Sequence, residues 1–109
     1  MLTKEEYAAN RKKWIEALRS GEYEQGKDEL RCMDSFCCIG VGADLFGHDW
    51  LSQVRYGYEI NMENTGLRDK EGVFFGGSLV VMNDNGKTFS EIADIIESNP
   101  DGLWAEGTY

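Results

Sequence analysis

The sequence holds a single histidine, His48, and three cysteines, Cys32, Cys37 and Cys38. That scarcity narrows the chemistry. A zinc site needs about four Cys, His, Asp or Glu ligands at suitable spacing. No CxxC pair exists, and the adjacent Cys37 and Cys38 project about 100° apart on a helix or to opposite faces of a strand. Two of the four candidate ligands therefore cannot easily share one metal. A Cys/His nucleophile pair would have to use His48 and exists in composition only. Small buried packing groups are the plainer account of these thiols, and no metal or cofactor is expected.

Other absences are as informative. An odd cysteine count fits a reducing compartment better than a secreted disulfide framework. No apolar run approaches the roughly 18 residues that span a bilayer. The opening MLTKEEYAANRKKW is charged and lacks the apolar stretch of a signal peptide. There is no GxGxxG, P-loop, nucleophile elbow, internal repeat or low-complexity segment. These absences point to a soluble, cytoplasmic protein that is not an enzyme and binds no membrane.

Basic residues are also unevenly supplied. Residues 1–31 carry seven Lys/Arg against seven Asp/Glu, whereas residues 32–109 carry four against thirteen, which accounts for the whole net charge of −9. Such a surface repels polyanions, so it disfavours sliding on DNA or RNA by phosphate neutralisation, and no nucleic-acid polymer is expected as a partner. A local pocket with one or two arginines can still hold one small anion.

What is present is enough for one domain over residues 1–109, with a 41% apolar composition and three Trp, five Tyr and five Phe. Thr3-Lys4-Glu5-Glu6 is a capping box, and Tyr7, Trp14, Ala17 and Leu18 share one face, so a helix is expected over 4–20 with Gly21 after it. EYEQGKDELRCM reads as a short extended stretch. Phe36, Ile39, Ala43 and Phe46 then step at helical spacing, with Ser35 as expected N-cap and Gly47 as stop. Gly40 and Gly42 within this helix each cost about 1 kcal/mol relative to Ala. They imply close approach by another backbone element.

VRYGYEI, GVFFG and SLVVM are β-branched and aromatic and read as antiparallel strands, the first two separated by a polar loop over 61–70. Thr88-Phe89-Ser90-Glu91 is a second capping box ahead of the stripe Phe89, Ile92, Ile95 and Ile96, and Pro100 ends that helix. The expected fold class is α+β: N-terminal helix, short second helix, small antiparallel sheet and C-terminal helix. Leu103 and Trp104 suggest that part of the tail docks on the body.

Candidate site residues are few. An EF-hand reading of NDNG fails, because loop positions 1 and 12 would be Val81 and Ile92. The Asn-Gly pair makes a turn, or Asn83 or Asn85 presents an amide to a ligand. Gly76-Gly77 after Phe74-Phe75 is a β-bulge or a place where a flat ligand meets backbone. Arg55, beside Tyr56, and Arg68 are the only arginines of the sheet-forming half, and are either solvated or anion-binding. Asp94 and Glu97 read as solvated carboxylates on a polar helix face.

The order WIEALRSGEYEQ, FCCIGVGADLF, VVMNDNGKTFSEIADIIE resembles small phage and prophage proteins, and is similar to the first-described family of Thoeris anti-defence sponges. The likeness covers about the first 46 residues and residues 73–97. It implies capture of a small cyclic nucleotide signal, glycocyclic ADP-ribose or a cyclic oligonucleotide, without turnover, by a homo-oligomer (dimer or hexamer) in the host cytoplasm. It also implies an aromatic ring on the base, here Phe74 or Phe75, an asparagine, here Asn83 or Asn85, and arginines on phosphate. The family's arginines in or after its last helix have no counterpart, since residues 88–109 contain no Arg or Lys. Arg55, Arg68, Lys87 or a neighbouring subunit's Arg11, Lys12, Lys13 and Arg19 would substitute. The rival expectation is an acidic inhibitor that covers a basic surface of a host defence or nucleic-acid enzyme.

Overall fold

The computed structural model describes residues 2–29, 31–47, 61–69 and 71–109. Helix α1 (Lys4–Arg19) starts at the expected capping box, with Thr3 Oγ1 accepting from the Glu6 amide and Glu6 returning the bond to the Thr3 amide. Two-residue strands follow: β1 (Glu24–Gln25), β2 (Arg31–Cys32) and β3 (Ser35–Phe36). Their order is β1-β3-β2, with β1 parallel and β2 antiparallel to β3.

Helix α2 (Cys38–Leu45) starts later than its apolar spacing implies. Ser35 is taken up in β3, so the cap passes to Cys37, whose Sγ accepts from the Gly40 amide at 3.4 Å. Gly47 ends it at φ +84°, as expected. The close approach expected at Gly42 exists, but side chains rather than backbone make it. A Cβ there would collide with Met62 Sδ and lie 3.2 Å from Trp14 Nε1.

After a short 3₁₀ turn (Asn61–Thr65) come β4 (Val73–Phe74) and β5 (Gly77–Ser78), a two-residue antiparallel hairpin. The strand expected over VRYGYEI lies outside the described residues. The strand expected over SLVVM is instead helix α3 (Leu79–Asp84). Ser78 supplies its N-cap, accepting from the Val81 amide, and buried Leu79 and Asn83 at i and i+4 mark its inner face. The β-branched pair Val80-Val81 is overruled by the cap and by that burial. Helix α4 (Phe89–Glu97) keeps its predicted Thr88–Glu91 capping box.

The fold is α+β. α1 packs on α4, α2 and the 3₁₀ turn around a core of Trp14, Ile39, Met62, Leu79, Ile92 and Leu103, all under 2% exposed. Trp14 donates to the Cys38 carbonyl at 3.0 Å and meets Trp104 edge-on at 6.4 Å. Arg19 reaches from α1 to Asp94 (2.6 Å) and Glu97 (3.1 Å), so these carboxylates are exposed but paired, not merely solvated. Among the described residues, no helix is long and apolar enough to cross a membrane.

Candidate functional site

The tail docks as Leu103 and Trp104 suggest, and its docking shapes the candidate site. The Arg68 amide donates to the Leu103 carbonyl, the Ala105 amide to the Gly66 carbonyl, and the Phe75 amide to the Asp101 carbonyl, at 3.0, 2.7 and 2.9 Å. Residues 101–105 are thereby laid between the segment 66–68 and the tip of the β4–β5 hairpin. The tip turns at Phe75-Gly76, with Gly76 at φ +101°, a conformation that favours glycine. Phe75 is left 87% exposed.

Arg68, Phe74, Phe75, Asp101 and Gly102 line a broad, open concavity of about 500 Å³. Gly102, at φ +86°, forms part of its wall, and a Cβ added there would lie 3.4 Å from an Arg68 guanidinium nitrogen and 3.6 Å from the Phe75 amide. The guanidinium therefore lies over bare backbone beside the aromatic tip. Among the described residues, neither Arg68 nor Asp101 has a side-chain hydrogen-bond or ion-pair partner, and they do not pair with each other. An exposed ring, a free guanidinium and a free carboxylate on one concave surface can stack a planar group, grip an anion and accept from N–H donors. Among the described residues, no nucleophile–base pair lines this surface.

Of the eight residues singled out from sequence, three meet here: Arg68, Phe74 and Phe75. Phe74 is half-buried against the core, so Phe75 is the ring available for stacking. Arg55 and Tyr56 lie outside the described residues. Asn83 lies near the end of α3, Asn85 caps it and Lys87 follows, and none of the three lines this concavity.

Asn83 requires a correction. Its side chain is 0% exposed and its amide is fully engaged. Oδ1 accepts from Gln25 Nε2 (2.9 Å) and the Cys38 amide (3.2 Å), while Nδ2 donates to the Gly26 carbonyl (2.8 Å). It cannot face a ligand without breaking these bonds. Asn85 is exposed and remains free to do so. Lys87 is half-buried, and its carbonyl accepts from Gln25 Nε2.

Asp101 and Gly102 were not legible as site residues. An Asp-Gly pair after Pro100 signals a turn, and only the tail's docking against 66–68 brings it beside Phe75. A buried cluster around Arg11 was also hidden, because an arginine in the charged run RKK reads as a cation available to phosphate, and the structure corrects that expectation. Arg11 is instead 9% exposed, donating to Thr65 O (2.6 Å) and to Thr108 O and Oγ1 (both 2.8 Å).

The cysteines separate by environment. Cys37 and Cys38 are buried, and desolvation raises both thiol pKa values. Cys32 is exposed on edge strand β2. Titration of the folded protein with a disulfide reagent is therefore expected to release about one equivalent quickly and all three only after denaturation. Rapid reaction of Cys37 or Cys38 in the folded state would contradict their placement.

A family model described as a domain of unknown function (DUF8296) matches residues 8–68. That match runs from α1 through the 3₁₀ turn and reaches the concavity only at Arg68. No curated protein and no solved structure matches the chain. Since the family model spans more than half of the 109 residues, the chain belongs to the DUF8296 family.

Proposed function

We propose that this chain is a binding protein and not an enzyme, and that it captures a small cyclic nucleotide signal at the Arg68–Phe75 concavity without cleaving it. This follows the resemblance to the phage anti-defence sponges, with an oligomer supplying further cations. The observation that carries the reading is the pairing of Phe75, 87% exposed, with an Arg68 guanidinium that has no partner among the described residues. An apolar ring that size loses free energy in water unless something covers it. Stacking of a base on an aromatic ring is worth about 1–3 kcal/mol, and a guanidinium grips phosphate bidentately.

Calorimetry against glycocyclic ADP-ribose and a panel of cyclic oligonucleotides is expected to give heat, with the ligand recovered intact. Phe75→Ala is expected to weaken binding about tenfold or more, and Arg68→Ala by a similar factor with a reduced salt dependence. Absence of both heat and thermal shift across the panel overturns the proposal.

A second reading rests on Val81, 56% exposed on α3, together with Phe75 in the acidic part of the chain. Both would anchor an acidic inhibitor on a basic host-enzyme surface. It predicts salt-sensitive binding to a protein and no small-molecule ligand.

A further inference from the structure

We propose that the concavity selects guanine over other bases, with Asp101 reading the base edge. This inference rests on the nucleotide-binding reading and adds the identity of the base. Stacking on Phe75 is indifferent to sequence, because every base has a π-face. Arg68 adds affinity for any anion, phosphate included. Neither explains a carboxylate on the same surface. In a site meant for bare phosphate, Asp101 would repel the ligand.

The two charges line one cavity, yet they do not pair with each other or with any described neighbour. That arrangement suits a ligand that offers N–H donors to the carboxylate and acceptors or negative charge to the guanidinium. The Phe75 amide bonds to the Asp101 carbonyl at 2.9 Å, which fixes Asp101 beside the residue bearing the stacking ring. A base lying on that ring can bring its edge within reach of Asp101.

Guanine fits these demands best. Its N1–H and N2 amino group are adjacent donors that match the two oxygens of one carboxylate. Its O6 and N7 are acceptors that suit a guanidinium. Adenine has no donor at N1 and offers a carboxylate only its N6 amino group. Hypoxanthine keeps N1–H but lacks the 2-amino group, so it isolates the second hydrogen bond.

The test compares cyclic di-GMP, cyclic di-IMP and cyclic di-AMP, which share phosphates and ring closure, by calorimetry on the full chain. The expected order is cyclic di-GMP, then cyclic di-IMP, then cyclic di-AMP, with about tenfold or more between the first and last. Asp101→Asn should collapse that ratio to near unity, chiefly by weakening cyclic di-GMP. It should leave the melting temperature unchanged, because among the described residues Asp101 bonds through its backbone carbonyl and not its side chain. Equal binding of all three, or an unchanged ratio in Asp101→Asn, overturns guanine selection while leaving the capture reading intact. Equal weakening of all three by Asp101→Asn assigns the carboxylate to ribose and overturns it as well. No binding of these three, with heat from glycocyclic ADP-ribose, also removes the guanine inference alone. No heat from any probe removes both.

Discussion

Asn83→Ala is expected to destabilise the fold by about 3 kcal/mol and to lower the melting temperature by about 15 °C. Asn83 is the point where four elements meet. Its Oδ1 holds the amide of Cys38 at the start of α2 and the side chain of Gln25 from β1, and its Nδ2 holds the carbonyl of Gly26. Gln25 in turn accepts from the Phe89 amide at the start of α4. Truncation leaves a fully buried Cys38 amide without its side-chain acceptor, and it loosens two further groups. An unsatisfied buried group costs about 1–3 kcal/mol, so a sum near 3 follows without invoking the cavity. Asn83→Asp should be no better, because a carboxylate cannot donate to Gly26 and would be a buried charge. Urea unfolding of both variants measures this. A loss below about 1 kcal/mol would show that the network is redundant, and would return Asn83 to the set of candidate ligand groups.

The same residue explains what the sequence conceals. Elements whose signals are local were legible: both capping boxes, α1, α4, the Gly47 stop and the helical spacing of α2. Helix α3 was not, because its inner face is Leu79 and a polar Asn83, and no hydrophobic pattern exposes an asparagine used as a core hub. With that position removed, SLVVM is a β-branched run, and strand is the natural reading. Ser78 was the overlooked signal, a cap directly before the run. The parallel pairing of β1 with β3 depends on a register that two-residue strands cannot advertise. For the site, the aromatic tip and Arg68 were readable as residue types. Asp101 and Gly102 join them only through hydrogen bonds between segments more than twenty-five residues apart in sequence, and no local pattern encodes that.

A second buried polar hub, at Arg11, ties the same tail to α1. Arg11→Ala is expected to cost about 2–3 kcal/mol and to loosen the tail selectively. The side chain is 9% exposed, and among the described residues it has no carboxylate partner. Its charge is held by the carbonyls of Thr65 and Thr108, by Thr108 Oγ1 and by the face of Trp104, 4.2 Å from the guanidinium carbon. Burial lowers its pKa, but an arginine stays protonated, so this is a desolvated cation held by dipoles and a ring. A fork of this kind needs the planar guanidinium, and Arg11→Lys should recover less than half of the loss. The loss should also be directional. Thr108 and Trp104 belong to the segment whose hydrogen bonds lay Asp101 and Gly102 beside Arg68 and Phe75. Hydrogen exchange should therefore show the Ala105 and Arg68 amides losing protection in Arg11→Ala before the amides of α2 do. If stability falls by less than about 0.5 kcal/mol, or if protection falls uniformly, Arg11 is not the clasp of the tail. If the selective pattern is found, the shape of the candidate site is set from α1, some ninety positions earlier in the chain than Asp101.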